Sequence, residues 1–221
     1  MRNIFDINGP GITFLTKVFD VFMLSVLWIV FSAPIITMGA ATSGAYAVIN
    51  KYIKKNEGYF WKTFWNTFVD SLKQHFQTWF VALLGAIILI LDAAGFRSMM
   101  LSNHPFGKLY WVVLFLIVVY ITWFFYLSAY IALIEGKTKE VLRYSFFMIV
   151  LHPIKTFVNT VLILMCIGAI LSVPIAFIFA PGIMIFLTSF GVESVFAKHL
   201  PQEDAKRLLG INKTDEANEE N

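Results

Sequence analysis

The sequence predicts an all-α, polytopic membrane helical bundle with five or six transmembrane helices, and three observations support this fold class. The chain has 221 residues, of which 58% are hydrophobic and only 14% are charged, whereas soluble domains are about 25% charged. Four runs contain no charged side chain, and the longest has 37 residues, where roughly 20 apolar helical residues cross a bilayer. No other stretch reaches the roughly 50 residues of a small soluble domain.

The domain organisation follows from the same pattern. Residues 1–200 are expected to form a single membrane domain, and 201–221 a polar cytoplasmic tail whose end is disordered. The net charge of +3 resides in short loops beside apolar runs, where basic residues act as topology signals rather than as a nucleic-acid site. Asp20 and the long N-terminal lead argue against a cleaved signal peptide.

The charge-free runs give the helices in order: 21–50, 74–91, 109–134 and 156–192. The second and third are each one crossing. The fourth would extend about 55 Å as a single helix at 1.5 Å per residue, so we divide it into crossings at 156–173 and 182–199. Pro174, Pro181 and Gly182 lie where this hairpin would turn.

The first run allows two interpretations, because Pro34 disfavours helical geometry at Ala33. One is a single helix, 16–36, followed by a loop. The other is a hairpin with helices at 12–33 and 40–53 and a turn at 34–39. The second helix of the hairpin would be rich in small residues, which let membrane helices approach closely and suit a buried position.

The distribution of Lys and Arg favours six crossings. Five crossings with the N-terminus outside put thirteen basic residues in the cytoplasm and four outside, whereas six crossings with both termini inside give fifteen and two. A weak internal repeat at an offset of 78 also supports six: it matches Tyr52-Ile53 with Tyr130-Ile131, Glu57-Gly58 with Glu135-Gly136, Phe68 with Phe146 and Thr78 with Thr156.

Two cytoplasmic segments are amphipathic. Residues 59–76 carry Phe and Trp at helical spacing with Lys62, Asp70 and Lys73 elsewhere, which is typical of a helix in the membrane interface. Residues 143–153 are a shorter version, which ends at His152-Pro153.

Ionisable residues within a span are functional candidates by default, and Glu193 is the strongest here. Its functional interpretation is a buried carboxylate that binds a substrate or a partner, and its structural interpretation is an acid near the interface, paired with a basic group. Asp20 is expected to complement a helix N-terminus, Asp92 to mark the outer interface, and Cys166 to be a small packing residue. The four His residues show no metal-ligand spacing, and no catalytic or phosphate-binding motif occurs, so no cofactor or metal is expected.

The segment Pro34-Ile-Ile-Thr-Met-Gly-Ala-Ala-Thr42 follows a first membrane helix and precedes small residues, Tyr46 and the Phe-rich stretch 64–76. With Asn8-Gly-Pro at its start, this arrangement over residues 5–76 resembles the YesL family, bacterial membrane proteins that are also known as a domain of unknown function. The length and helix pattern of the whole chain are similar to that family as well. Its members are commonly encoded near carbohydrate-uptake transporters, sensors and polysaccharide-degrading enzymes, so the resemblance implies a role in sugar uptake or sensing.

The leading hypothesis is a non-enzymatic accessory or regulatory protein of the bacterial cell membrane, associated with carbohydrate uptake or sensing. Its partners besides the lipid bilayer would be a sugar-transporter permease or a sensor kinase. The interaction elements would be the turn with Pro34, Thr37 and Gly39 and the helix 60–76. The alternative is a small transporter that uses broken helices and Glu193, and an intramembrane enzyme is a third hypothesis. The oligomeric state and any substrate are left open.

Overall fold

The computed structural model describes residues 10–134 and 138–196, and every regular element in these ranges is a helix. The α-helices in chain order are α1 (Pro10–Ser32), α2 (Met38–Ala47), α3 (Phe60–Leu101), α4 (Leu109–Leu133), α5 (Thr138–Leu151), α6 (Pro153–Ser172) and α7 (Ala180–Phe196). A π-helical segment, Val48–Lys54, continues α2, and 3-10 turns occupy Ile35–Thr37, Pro105–Lys108 and Pro174–Ile178. The predicted all-α fold class is confirmed.

Several helices are long and apolar enough to cross a membrane. In the described part of the chain these are Gly11–Ser32, Phe60–Leu101, Pro105–Leu133 and Pro153–Ser172. A shorter apolar helix spans Ala180–Glu193, and α2 with its π-helical continuation is also shorter than a full span. The chain is therefore membrane-embedded, while the number of six crossings stays a prediction.

The first charge-free run forms a helical hairpin. α1 ends at Ser32 and α2 begins at Met38, so the interpretation of one helix followed by a loop is wrong. Thr37 closes the turn, since its hydroxyl oxygen lies 2.6 Å from the carbonyl oxygen of Phe31 and 2.8 Å from that of Pro34, and its single proton is shared between them. Trp28 Nε1 donates a hydrogen bond of 2.9 Å to Thr42 Oγ1, which joins the two helices.

Helix α2 lies at the centre of the bundle. Every residue from Gly39 to Ala47 is buried, and α1, α3, α4 and α7 all contact this helix. Small side chains permit this position because they let neighbouring backbones approach closely. The sequence interpretation of a helix buried against other helices holds here, and the neighbours belong to the same chain.

The amphipathic segment and the second crossing form one helix, α3, of 42 residues. A break in helical geometry at His75 (φ −116°, ψ 18°) separates the two parts. The helix also continues beyond 91, through Asp92 and Arg97, to Leu101. Asp92 therefore lies within a helix rather than at its end, because an exposed charge on a helix surface does not terminate it.

The last hairpin differs slightly from its prediction. α6 ends at Ser172 and a 3-10 turn starts at Pro174, as expected, but Pro181 and Gly182 lie in the first turn of α7. Proline is tolerated there because the first helical N–H groups have no partner within the helix. The N–H of Gly182 instead donates to Ser25 Oγ at 2.8 Å, which attaches α7 to α1. The predicted helix end at 199, the Glu135-Gly136 turn and the tail lie outside the described residues.

The amphipathic first part of α3 and the amphipathic helix α5 have the same pattern of buried residues, and both end at a break in helical geometry. Their buried positions correspond at an offset of 77: Phe64, Phe68 and Ser71 in α3, and Val141, Ser145 and Met148 in α5. Helical geometry is interrupted at His75 in one and at His152 in the other. The offset that aligns the buried residues is therefore 77 rather than the 78 of the sequence repeat. The offset of 78 would pair Phe68, which is buried, with Phe146, which is exposed.

Candidate functional site

Glu193, the strongest candidate from the sequence, lies in a polar cluster between α7 and the end of α2. Lys54 Nζ is 2.8 Å from Glu193 Oε2, and the Asn50 side-chain amide donates to Glu193 Oε1. The two charged side chains are only 15% and 17% exposed. Lys54 Nζ also lies 3.9 Å from the ring centre of Phe190, one turn before Glu193. The carboxylate is thus neutralised and held by residues of the central helix.

The π-helical segment positions Asn50 and Lys54. Thr42, Tyr46, Asn50 and Lys54 follow at intervals of four along the central helix. In an α-helix, with 3.6 residues per turn, such a row drifts around the axis. The i→i+5 hydrogen bonds of Val48–Lys54 give a wider turn, which compensates this drift. The last two residues of the row therefore reach the same helix, α7, that Tyr46 reaches.

The rest of the row contacts neighbouring helices through hydrogen bonds. Tyr46 Oη and Thr188 Oγ1 are 2.8 Å apart, and both residues are buried. Next to this row, Ser43 Oγ donates to the carbonyl of Ser128 on α4 at 3.0 Å. Buried polar groups are stabilising only when they are bonded, and here these bonds connect α2 to its partners. The arrangement fixes the relative positions of α2, α4 and α7.

The predicted turn residues lie at the opposite end of α2 from this cluster. Pro34 is exposed, Thr37 uses its hydroxyl within the turn, and Gly39 is buried beneath the Trp79 indole ring. The structure does not bring these three residues together with Glu193. The large exposed hydrophobic side chains of the turn are Ile35 and Ile36. A partner that contacts the turn would therefore meet these two isoleucines and Pro34 rather than Gly39.

Two cavities lie near the same end of the bundle as Glu193, and Glu193 lines neither. One, of about 340 Å³, lies between α1 and the π-helical segment, with Lys17, Asp20 and Tyr52 in its wall. The other, of about 160 Å³, lies at the break in α3, beside His75 and the end of α4. The Nδ1 atom of His75 is buried without a hydrogen-bond partner. Within the described residues, no group of His, Cys, Asp and Glu side chains has metal-binding geometry.

The sequence interpretation missed Asn50 and Lys54. A signal was present, because Asn50 is a polar residue at the end of an apolar run and Lys54 follows it by four residues. Two residues at this spacing lie on one face of a helix. However, nothing in the sequence indicates that this face meets Glu193, which is 139 residues after Lys54.

Comparison with known proteins gives one similarity. No curated protein and no solved structure matches the chain. A family of proteins does match one segment, residues 21–93, which begins within α1, includes the first turn, α2 and the π-helical segment, and ends within α3. It thus contains Asn50 and Lys54, but not Glu193. Residues 21–93 are similar to the family described as "Protein of unknown function, DUF624".

Proposed function

We propose that this chain is a non-enzymatic membrane protein of the YesL type, which acts as an accessory or regulatory component in bacterial carbohydrate uptake or sensing. The similarity of residues 21–93 to DUF624, a family that includes YesL-like proteins, supports the family part of the proposal. The role in carbohydrate uptake comes from the resemblance to YesL proteins. Its partner would be a sugar-transporter permease or a sensor kinase in the bacterial cell membrane.

One observation supports an accessory role over a carrier. Glu193, the acid that a carrier would use, is bonded to Asn50 and Lys54 and lines neither cavity. A carboxylate that moves charge must reach its substrate or a water-filled path. Here the charged pair joins helices instead, which suits a protein that presents a stable surface to another membrane protein.

A small transporter is the second candidate, and the π-helical segment favours it. π-helical turns are rare and are frequent at functional sites, and this one supplies Asn50 and Lys54 to the acid. In a transporter the pair would open to exchange Lys54 for a substrate or a proton. The 3-10 turn at Pro174–Ile178 is a second interruption in the same bundle.

The first experiment is a pull-down of the tagged protein from its native membrane in mild detergent, with identification of the proteins that copurify. A permease or sensor kinase in stoichiometric amount is the result expected for an accessory protein. A homo-oligomer without a partner would contradict the accessory role and leave the transporter as the better hypothesis.

A matched pair of variants separates the two roles. Glu193→Gln removes the acid, and the double variant Lys54→Leu with Glu193→Leu removes both charges without leaving one unpaired. An accessory protein is expected to keep its partner in the double variant, whereas a carrier that depends on the pair would lose uptake in both variants. Lys51→Met, at an exposed position three residues before Lys54, is the control.

A further inference from the structure

The larger cavity lies between the first half of α1 and the segment where α2 ends. It has a volume of about 340 Å³, and its polar wall includes Thr16, Lys17, Asp20, Tyr52 and Asn56. Pockets that bind small molecules have volumes of about 300–1,000 Å³ and a few converging polar groups. The cavity therefore has the size and the chemistry of a site for a small polar group.

Lys17 and Asp20 give the cavity two opposite charges. Both are half-buried and three residues apart on α1, a spacing that places them on the same face of a helix. Lys17 and Asp20, both in the described part of the chain, do not form an ion pair with each other. Partly buried charges are costly without partners. A ligand with both an anionic and a cationic group would compensate both.

The position of the cavity indicates where such a ligand comes from. Its wall shares Tyr52 and Ile53 with the segment that contains Lys51 and Lys54, the end that the basic residues assign to the cytoplasm. Beyond Asp20, α1 continues without charge from Val21 to Ser32. Lys17 and Asp20 lie seven and ten residues after the start of α1, beside Tyr52 and the loop residue Asn56. Lys and Tyr side chains near the cytoplasmic ends of membrane helices are typical of the level of lipid head groups.

We propose that this cavity binds a zwitterion made of a phosphate and a primary ammonium group, supplied by the head group of an aminophospholipid in the cytoplasmic leaflet. The Lys17 ammonium donates to the phosphate, and the Asp20 carboxylate accepts from the ligand ammonium. A choline head group has no N–H to donate to Asp20, and a glycerol head group has no cation. The site therefore selects phosphoethanolamine over both.

Lipid binding to the purified full-length protein tests this site. The protein is exchanged into mixtures of phosphatidylethanolamine, phosphatidylcholine and phosphatidylglycerol, and retained lipids are measured by native mass spectrometry. We expect retention of phosphatidylethanolamine about tenfold above phosphatidylcholine, and loss of this preference in Asp20→Asn. Lys17→Met should instead lower the retention of all three lipids, because they share the phosphate. Lys51→Met and Asp92→Asn, which change exposed charges outside the cavity, keep the preference.

Further outcomes decide the proposal. Equal retention of the three lipids by the wild-type protein would overturn it, as would an unchanged preference in folded Asp20→Asn. Displacement of the lipid by millimolar soluble phosphoethanolamine would support the recognition chemistry, but would identify a free zwitterion as the ligand. Failure of the soluble compound to displace the lipid would support a membrane lipid as the source.

Discussion

Lys54 and Glu193 are two charges held near the end of a membrane bundle, and their energetic value depends on their being paired. Each side chain is less than one-fifth exposed, so each has lost most of its contact with water. A well-packed apolar pair of similar size often replaces a buried ion pair without loss, whereas removal of one partner leaves a charge without compensation. The energetic contribution of each residue to stability therefore depends on the presence of the other.

This dependence predicts a non-additive pair of substitutions. Glu193→Gln and Lys54→Met are each expected to lower the free energy of unfolding by about 2–3 kcal/mol, somewhat less than a fully buried pair because some water reaches both groups. The double variant Lys54→Met with Glu193→Gln should lose less than the sum of the two single changes. Thermal unfolding in detergent measures all three. Additive losses would contradict the coupling.

The residue scale also shows what could be predicted for the site. Glu193 was identifiable because it is an acid in a nearly charge-free segment, and such residues are expensive in a membrane. Its partners were not, because the contact with Lys54 joins positions 139 residues apart and depends on how α2 and α7 pack. The sequence indicated the group that needs a partner, and the fold determined the partner.

Helix α2 depends on close packing at its glycines. A Cβ atom at Gly39 would overlap the Trp79 indole, and one at Gly44 would lie 3.1 Å from the Phe64 ring. By contrast, a Cβ atom at Gly95 of α3 would meet no atom within 4 Å. The two helices therefore provide a buried glycine and an open one for comparison.

Gly39→Ala is expected to destabilise the protein by about 1–3 kcal/mol, because the added methyl group must displace the Trp79 ring or the α2 backbone. Gly95→Ala should change the free energy of unfolding by less than about 1 kcal/mol. The change should be stabilising, because Ala favours a helix more than Gly does. The measurement is the midpoint of thermal unfolding for both variants. An equal loss at the two positions would show that close approach at Gly39 is not what holds α2 in place.

Helix boundaries were the least predictable part of each element. The crossing at 109–134 was placed within a residue of α4 (Leu109–Leu133), because apolar length alone defines it. In α3 the charged residues at both sides of the apolar run were interpreted as ends, yet the helix includes Lys73, Asp92 and Arg97. Charge determines which face of a helix is exposed, whereas caps and turn residues determine where it stops.

At the scale of the whole molecule, the six-crossing topology predicts that the turn at Ile35–Thr37 and the N-terminus lie on opposite sides of the membrane. We test this with single cysteines in a Cys166→Ala background and a membrane-impermeant thiol reagent. Ile35→Cys, at a position that is 70% exposed, should be labelled in intact cells. Ser102→Cys is the external control and Glu57→Cys the internal control, because both lie in loops that either topology assigns to those sides.

Protection of Ile35→Cys in intact cells, together with labelling of Ser102→Cys, would exclude the six-crossing topology. The distribution of Lys and Arg predicted this topology, and the helical hairpin agrees with it in element order. The side of the membrane itself is a property of charge near the helix ends. Labelling in intact cells therefore tests the side of the membrane directly.

The contact between α2 and α7 also has a consequence for biosynthesis. During translation α2 enters the membrane early, whereas Thr188 and Glu193, the partners of Tyr46 and Lys54, are synthesised more than 130 residues later. Until then the polar row of α2 has no partners on α7. A nascent chain that stops before α7 leaves that row unmatched, and quality-control proteases can recognise such a product. The polar row of α2 therefore gains its partners on α7 only after α7 has been synthesised.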